Sequence, residues 1–330
     1  MYQKSRFLCA CMIAFMTLPV RTVQAGGFAP KAPAALFEKL DAAFGWKTID
    51  EMAIVLNDVE PSSGMADANV RLSMLPDPVE PPAWIANAVT FMPEKNMPMI
   101  AIVIDDMGVD VKRSARAAML PAPVTLAWLP YAHKLSEQTA AARKAGHELL
   151  IHMPMEPEEA EENPGPDALL TGLSQDEIYK RTIKNLSAFE GFVGINNHMG
   201  SKFTQDTGLL GVVMVELKKR SLMFLDSRTA SASQAEAVAE NTGIPATHRD
   251  VFLDNTMTTE AITAELGNLE VIAKRKGMAV AIGHPHDVTI AILEKWIPQA
   301  RARGFQIVPI TTIVRYQDKR FDIAGLVTSR

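Results

Sequence analysis

From residue 99 onward, short runs of hydrocarbon alternate with longer stretches that mix apolar and polar positions. The first run, Ile100-Ala-Ile-Val-Ile104, has no polar residue at all. Such a run reads as a strand covered on both faces. The same pattern predicts strands over Val124–Trp128, Glu148–Ile151, Phe192–Ile195, Leu222–Leu225, a ragged Ala246–Leu253, Ala279–Ile282 and Gln306–Ile310. Between them, helical periodicity predicts helices over Val111–Met119, Lys134–Lys144, Gln175–Phe189, Leu209–Arg220, Ala232–Glu240, Thr259–Lys276 and Val288–Arg303. Gly146, Gly191, Gly277 and Gly304 stand where several of these helices must stop. Strict alternation of strand and helix implies an α/β fold with a mostly parallel sheet, open or closed into a barrel.

The first 97 residues do not share this rhythm. Lys4 and Arg6 precede the apolar run Phe7–Val20, and Val23-Gln24-Ala25 offers small residues for cleavage. Residues 1–25 therefore read as a signal peptide of an exported, periplasmic or secreted protein. The run is short of the ~20 apolar residues a span needs, so no stable membrane span is expected after cleavage. Residues 26–97, rich in Pro, Ala and Met, read as a linker or an N-terminal extension that wraps the domain, with one short helix around Ala34–Phe44. Residues 98–330 form the expected domain.

Composition narrows the chemistry. The chain is 48% hydrophobic and 22% charged, with a net charge of -5. No basic stripe runs along it, which argues against nucleic acid as a partner. Both cysteines, Cys9 and Cys11, lie in the leader. A metal site in the mature protein must therefore use His, Asp or Glu. The insertion Met153–Ser174 is too long for an ordinary connection and holds five glutamates between Glu156 and Glu162. It reads as a solvated acidic loop.

Polar residues collect where the strands end. Asp105 and Asp106 follow the first strand. Trp128, Tyr131 and His133 follow the second, and His152 the third. Asn196, Asn197 and His198 follow the fourth, and Asp226, Ser227 and Arg228 the fifth. His248, Arg249, Asp250 and Asp254 accompany the ragged sixth; His284, His286 and Asp287 follow the seventh. In a parallel fold these ends share one face, where ligand sites form. His147 sits at the other end of its strand and reads as structural. Two adjacent carboxylates with imidazoles suit a divalent cation such as Zn²⁺, Mn²⁺, Fe²⁺ or Co²⁺. One aspartate can ligate and the other act as base toward water that the metal activates, while a histidine such as His284 serves as acid. Arg228 or Arg249 can orient a carboxylate or a substrate anion. This chemistry implies hydrolysis of an amide or ester. A glycosidase using Asp105 with Asp226 or Asp254 is a third arrangement of the same residues, but leaves the histidines without a task.

Seven ordered stretches, "IAIVIDDMG", "LLIHMPMEP", "GPDALLTGLS", "GINNHMGSKFT", "FLDSRT", "HRDVFLDN" and "AIGHPH", carry a resemblance to the divergent polysaccharide deacetylases, the YibQ-like group. It covers roughly residues 98 to 315. That group is similar in turn to the NodB-homology carbohydrate esterases. The resemblance implies a distorted (β/α) barrel of about seven strands. It also implies metal-dependent removal of N-acetyl (or O-acetyl) groups from an envelope or cell-wall polysaccharide or amino sugar. Asp105 then corresponds to the base and Asp106 to a ligand. His152 matches the first of two histidines in the second motif, and Glu156 stands at the second. The expected ligands, for zinc before other divalent metals, are Asp106, His152 and His198, with Glu156 in reserve. His284 is the expected acid. Asp226 and Arg249 join the catalytic group, and Trp128, Tyr131, Asn197, Asp250 and Asp254 the substrate surface. The alternative is a weak or inactive glycan-binding scaffold, because an anionic ligand in place of a neutral one lowers Lewis acidity.

Overall fold

The structure, a computed structural model, describes residues 81–317. The expected leader and the expected helix at Ala34–Phe44 lie outside the described residues. In chain order the elements are α1 (Ala83–Ala86), β1 (Met99–Met107), α2 (Val111–Ala117), β2 (Thr125–Trp128), α3 (Leu135–Lys144), β3 (Glu148–Met155), α4 (Gln175–Leu186) and β4 (Gly194–Met199). There follow α5 (Thr207–Lys219), β5 (Met223–Asp226), α6 (Ala235–Asn241), β6 (Ala246–His248), β7 (Val251–Phe252), α7 (Thr259–Lys276), β8 (Met278–Gly283), α8 (Asp287–Ala302), β9 (Gln306–Ile307) and α9 (Ile310–Gln317).

All strand pairs among the described residues are parallel, in the order β6-β5-β4-β3-β2-β1-β8-β7, with β9 pairing with the start of β1. The two edges of this sheet are one stretch of chain. Through His248 the stretch pairs with β5, and from Val251 it pairs with β8. The change of neighbour falls between two residues: Arg249 N donates to Asp226 O at 3.0 Å, and Asp250 N donates to Val280 O at 2.8 Å. The ragged pattern of Ala246–Leu253 is thus one broken stave that closes the sheet. Counting β6 and β7 together, seven staves surround the barrel among the described residues, with β9 set outside that count.

Side-chain alternation sorts the strands into two cores. In β1, Ile100, Ile102 and Ile104 pack outward under the helices, while Met99, Ala101 and Val103 pack inward. Leu150, Met223, Leu225, Val280 and Ile282 join the inner core. Its lower part is plugged by Trp84 of α1 and by Ile310, Ile313 and Val314 of α9. Buried polar groups fasten this plug. Glu148 accepts from Val89 N, Thr311 N and Thr311 Oγ1, and Thr125 Oγ1 accepts from Ile310 N. Residues 81–97, at the end of the stretch expected as a linker or N-terminal extension, form part of the barrel's amino end.

The seven predicted helices keep their spans to within a few residues, but α1 and α9 have no counterpart among them, and the expected strand Gln306–Ile310 shrinks to β9 because Ile310 opens α9. Gly277 ends α7 at φ 85°, a backbone that strains any residue with a Cβ. The strands differ more. Pure hydrocarbon stops at Ile104, Ile151 and Ile195, yet β1 continues to Met107, β3 to Met155 and β4 to Met199. The ladder does not require apolar side chains. At the carboxyl end a polar cavity replaces the inner core, so inward positions there are polar while the outward ones, Met107, Met153 and Met155, stay apolar.

Candidate metal centre

Inward parity carries the apolar interior into the site. Asp105 follows Met99, Ala101 and Val103; His152 follows Leu150; His284 follows Val280 and Ile282. In a regular strand Asp106 would face the opposite side from Asp105. A β-bulge prevents this. Ile104 pairs with Leu126, but the next pair is Met107 with Trp128, so two residues of β1 oppose one of β2. Asp106 takes φ 55°, a left-handed backbone that aspartate tolerates better than most residues. The bulge turns both carboxylates toward His152: its Nε2 lies 3.6 Å from Asp105 Oδ2 and 3.3 Å from Asp106 Oδ1.

His198 completes a triangle. Its Nδ1 lies 2.9 Å from Asp106 Oδ1 and 3.2 Å from His152 Nε2. Ligand bonds of ~2.0–2.2 Å in tetrahedral geometry set donors about 3.3–3.6 Å apart, slightly wider than the 2.9–3.3 Å found. Asp106 Oδ1 is buried and, although His198 Nδ1 lies near it, no donor among the described residues is aligned to bond it, which suits an atom reserved for a cation. Asp106, His152 and His198 are thus a group able to hold a metal. Burial pushes the Asp106 carboxyl up, but the adjacent His152 and His198 outweigh it and hold the group far below the usual carboxylate range. Burial opposes protonation of His152, while Asp105 and Asp106 overcome it and raise its pKa.

Across the cavity, His284 Nε2 lies 3.9 Å from Asp106 Oδ2. Its other nitrogen, Nδ1, donates to Asp254 Oδ1 at 2.9 Å, and Asp254 Oδ2 accepts from His284 N and Thr289 Oγ1. Burial lowers the His284 pKa, yet Asp254, Asp106 and Asp105 together bring it to about 9. On Asp105 burial prevails over its neighbours and raises the pKa. A cavity of about 670 Å³ opens over these groups, with Arg249 and Phe252 on one wall and Glu158, Glu159 and Glu162 of the insertion on another.

Several expected residues lie elsewhere. Glu156 accepts from Lys202 Nζ at 2.7 Å and from Thr171 N and Oγ1. It clamps the insertion to the chain after β4 and is not one of the three converging donors. The case for a binding scaffold that rested on an anionic Glu156 ligand loses its premise. Trp128 has the outward parity of Leu126 and is 1% exposed beneath the helices, so it presents no face to a sugar. The Tyr131 ring lies against Gly165, where a Cβ would come within 2.7 Å of it, and does not line the cavity. Asp226 also faces outward and holds its own loop through Arg228 N and Ser233 Oγ. Asp250 is bound to Lys276 and Val280 N, below the mouth. Asp254 supports His284 from behind rather than facing the cavity. Arg249 does line it, fixed by Ser227 O at 2.6 Å and Arg228 O at 2.7 Å and lying 5.1 Å over the Phe252 ring. Asn197 reaches the cavity wall, but its amide is spent on Ser227 N, Met199 O and Thr229 Oγ1.

Sequence reading names Asn196 without giving it a task; in the structure it is buried between Asp105 and His152. One signal marks it: Asn196 and His198 are two apart on one strand, hence on one face.

Comparisons with known proteins place the chain in a family. A family model for divergent polysaccharide deacetylases matches residues 102–314, more than half of the chain. "Uncharacterized protein YibQ" of Escherichia coli (strain K12) is 34% identical over 219 residues, covering 66% of this chain and 65% of that protein. An "uncharacterized protein" of Haemophilus influenzae (strain ATCC 51907 / DSM 11121 / KW20 / Rd) is 34% identical over 197 residues, covering 59% and 69% respectively. The chain thus spans about two thirds of the length of these relatives. Among solved structures, uncharacterized protein ATU2773 from Agrobacterium tumefaciens C58 superposes with a TM-score of 0.68 at 30% identity, over 70% of this chain and 95% of that one. With its matched stretch holding the bulged aspartates, the converging His152 and His198, and the His284–Asp254 pair, the chain belongs to the divergent polysaccharide deacetylase family.

Proposed function

We propose that this protein is an exported, metal-dependent hydrolase that removes N-acetyl or O-acetyl groups from an envelope or cell-wall polysaccharide. The observation that carries the reading is the convergence of Asp106, His152 and His198, flanked by Asp105 on one side and His284 on the other. The two-nitrogen, one-oxygen donor set suits zinc first. A bound cation would supply Lewis acidity, stabilising charge on the acyl oxygen and making water a stronger nucleophile. The chain's own residues supply the rest. Asp105, 2% exposed, takes the proton of the attacking water. His284, held by Asp254 at Nδ1, offers its Nε2 proton to the departing amine or alcohol. Arg249 adds fixed positive charge to the wall. Export is supported by Lys4, Arg6, the apolar run Phe7–Val20 and the small residues before Ala25. Among the described residues no helix is long and apolar enough to cross a membrane.

The test is acetate release from N-acetylated chitooligosaccharides and from O-acetylated glycans, with metal stripped and restored. Release that stops on stripping and returns with zinc is the expected result. Equal release from metal-free protein overturns the metal reading. Glycan binding without release by the zinc-loaded protein assigns the chain to the scaffold alternative.

A further inference from the structure

Asn196 is fully buried and touches three site groups with one amide. It faces His152 directly across the β3–β4 ladder. Its Oδ1 lies 2.9 Å from His152 Nδ1; its Nδ2 lies 2.8 Å from Asp105 Oδ1 and 3.1 Å from Ser227 Oγ. Chemistry fixes the amide's orientation. Turned over, its oxygen would face the Asp105 carboxylate and its NH₂ would face the imidazole. As it stands, two hydrogens meet two oxygen acceptors, and the amide oxygen requires a proton on His152 Nδ1. That proton leaves the lone pair of a neutral His152 on Nε2, the nitrogen facing Asp106 and His198.

We infer that Asn196 is a positioning residue that selects the ligating nitrogen of His152 and, through the same amide, holds Asp105 beside it as an acceptor. This rests on the metal-dependent reading above. A histidine ligand commonly donates its second N–H to a carboxylate, carbonyl or water. Here a side-chain amide takes that place and uses its other end to fix the proposed base. Ligand and base are therefore set by one rigid group, and moving it disturbs both. The amide belongs to neither the metal group nor the His284–Asp254 pair, so its contribution can be separated from theirs.

Two substitutions separate the halves. Asn196→Ala removes the acceptor and the donor. Asn196→Asp keeps an acceptor for His152 Nδ1 but sets a carboxylate against Asp105. The full chain is stripped and titrated with Zn²⁺ against a competing chelator, and with Co²⁺ while its visible spectrum is followed. Zinc affinity in Asn196→Ala is expected to fall about 10–100-fold, with an altered cobalt spectrum. Asn196→Asp is expected to keep near-wild-type affinity and spectrum, yet to lose at least about tenfold in kcat for acetate release. Wild-type affinity and spectrum in Asn196→Ala overturn the inference, as does an Asp variant that binds as poorly as the Ala variant or turns over like wild type. If Asn196→Ala does not fold, Asn196→Asp decides alone by the same two readings. Wild-type protein that takes up no metal fails the proposed function instead, a result distinct from either.

Discussion

The chain enters β3 beside one buried imidazole and passes another near the strand's far end, and the two live in opposite circumstances. At the amino end, His147 Nδ1 accepts from Val124 N and Nε2 donates to Ala118 O. Its neighbour Glu148 is satisfied by three donors from residues 89 and 311. Gln306 close by is bound at both ends to Glu94, and also to Met97. At the carboxyl end, His152 and His198 aim nitrogens at a carboxylate oxygen that has no aligned donor among the described residues. One end spends its buried polar groups on holding the plug in place. The other keeps polar atoms in reserve, which costs stability and suits a ligand site.

Substitutions at the two ends should separate accordingly. The largest effect belongs to the mouth. Asp106→Ala or His198→Ala should abolish stoichiometric zinc uptake and lower acetate release about a thousandfold or more, the several kcal/mol a Lewis acid supplies. Elemental analysis and kinetics read the two quantities, and a variant that retains its zinc breaks the contrast. At the foot, Glu148→Ala should cost about 2–4 kcal/mol by stranding Val89 N and Thr311 N. Denaturant unfolding measures this, and zinc affinity of the folded variant should not change.

A smaller effect follows from His147, whose burial lowers its pKa. The unfolded chain takes up a proton near pH 6.5 that the folded chain refuses. Stability is therefore full above that pH and falls as the pH drops below it, by at most ~1.4 kcal/mol per pH unit. His147→Gln should lack this part of the decline, and unfolding curves at pH 7 and pH 5 would show the difference. The smallest effect is expected at Glu156. Its partner is Lys202, so Glu156→Gln should alter zinc affinity by no more than about fivefold, within the range of a partly exposed ion pair. A loss as large as that of His198→Ala would return Glu156 to the ligand set.

Much of the barrel was legible because hydrocarbon runs and glycine stops report local periodicity. The strand ends were not. A reader of hydropathy ends β3 at Ile151 and β4 at Ile195, where the filling of the barrel changes from apolar to polar while the ladder continues. Trp128 illustrates the same limit. An aromatic residue at a strand end suggests a sugar platform, but its parity with Leu126 sends it under the helices. Glu156 stands four residues beyond His152, the motif's spacing, and spacing cannot reveal that Lys202 and Thr171 claim it first. Asn196 was hidden between more conspicuous neighbours until the β3–β4 register set it opposite His152.

Alone, the amino-acid order determined that strands and helices alternate and that carboxylates and imidazoles gather at the strand ends, because both properties are written in local periodicity and residue type. Tertiary structure decided which of those groups meet. The one-residue bulge at Asp106, the switch of partners between Arg249 and Asp250, and the pairing of β3 with β4 depend on hydrogen bonds between distant segments. Strand parity turns such a shift of one residue into a choice between cavity and core.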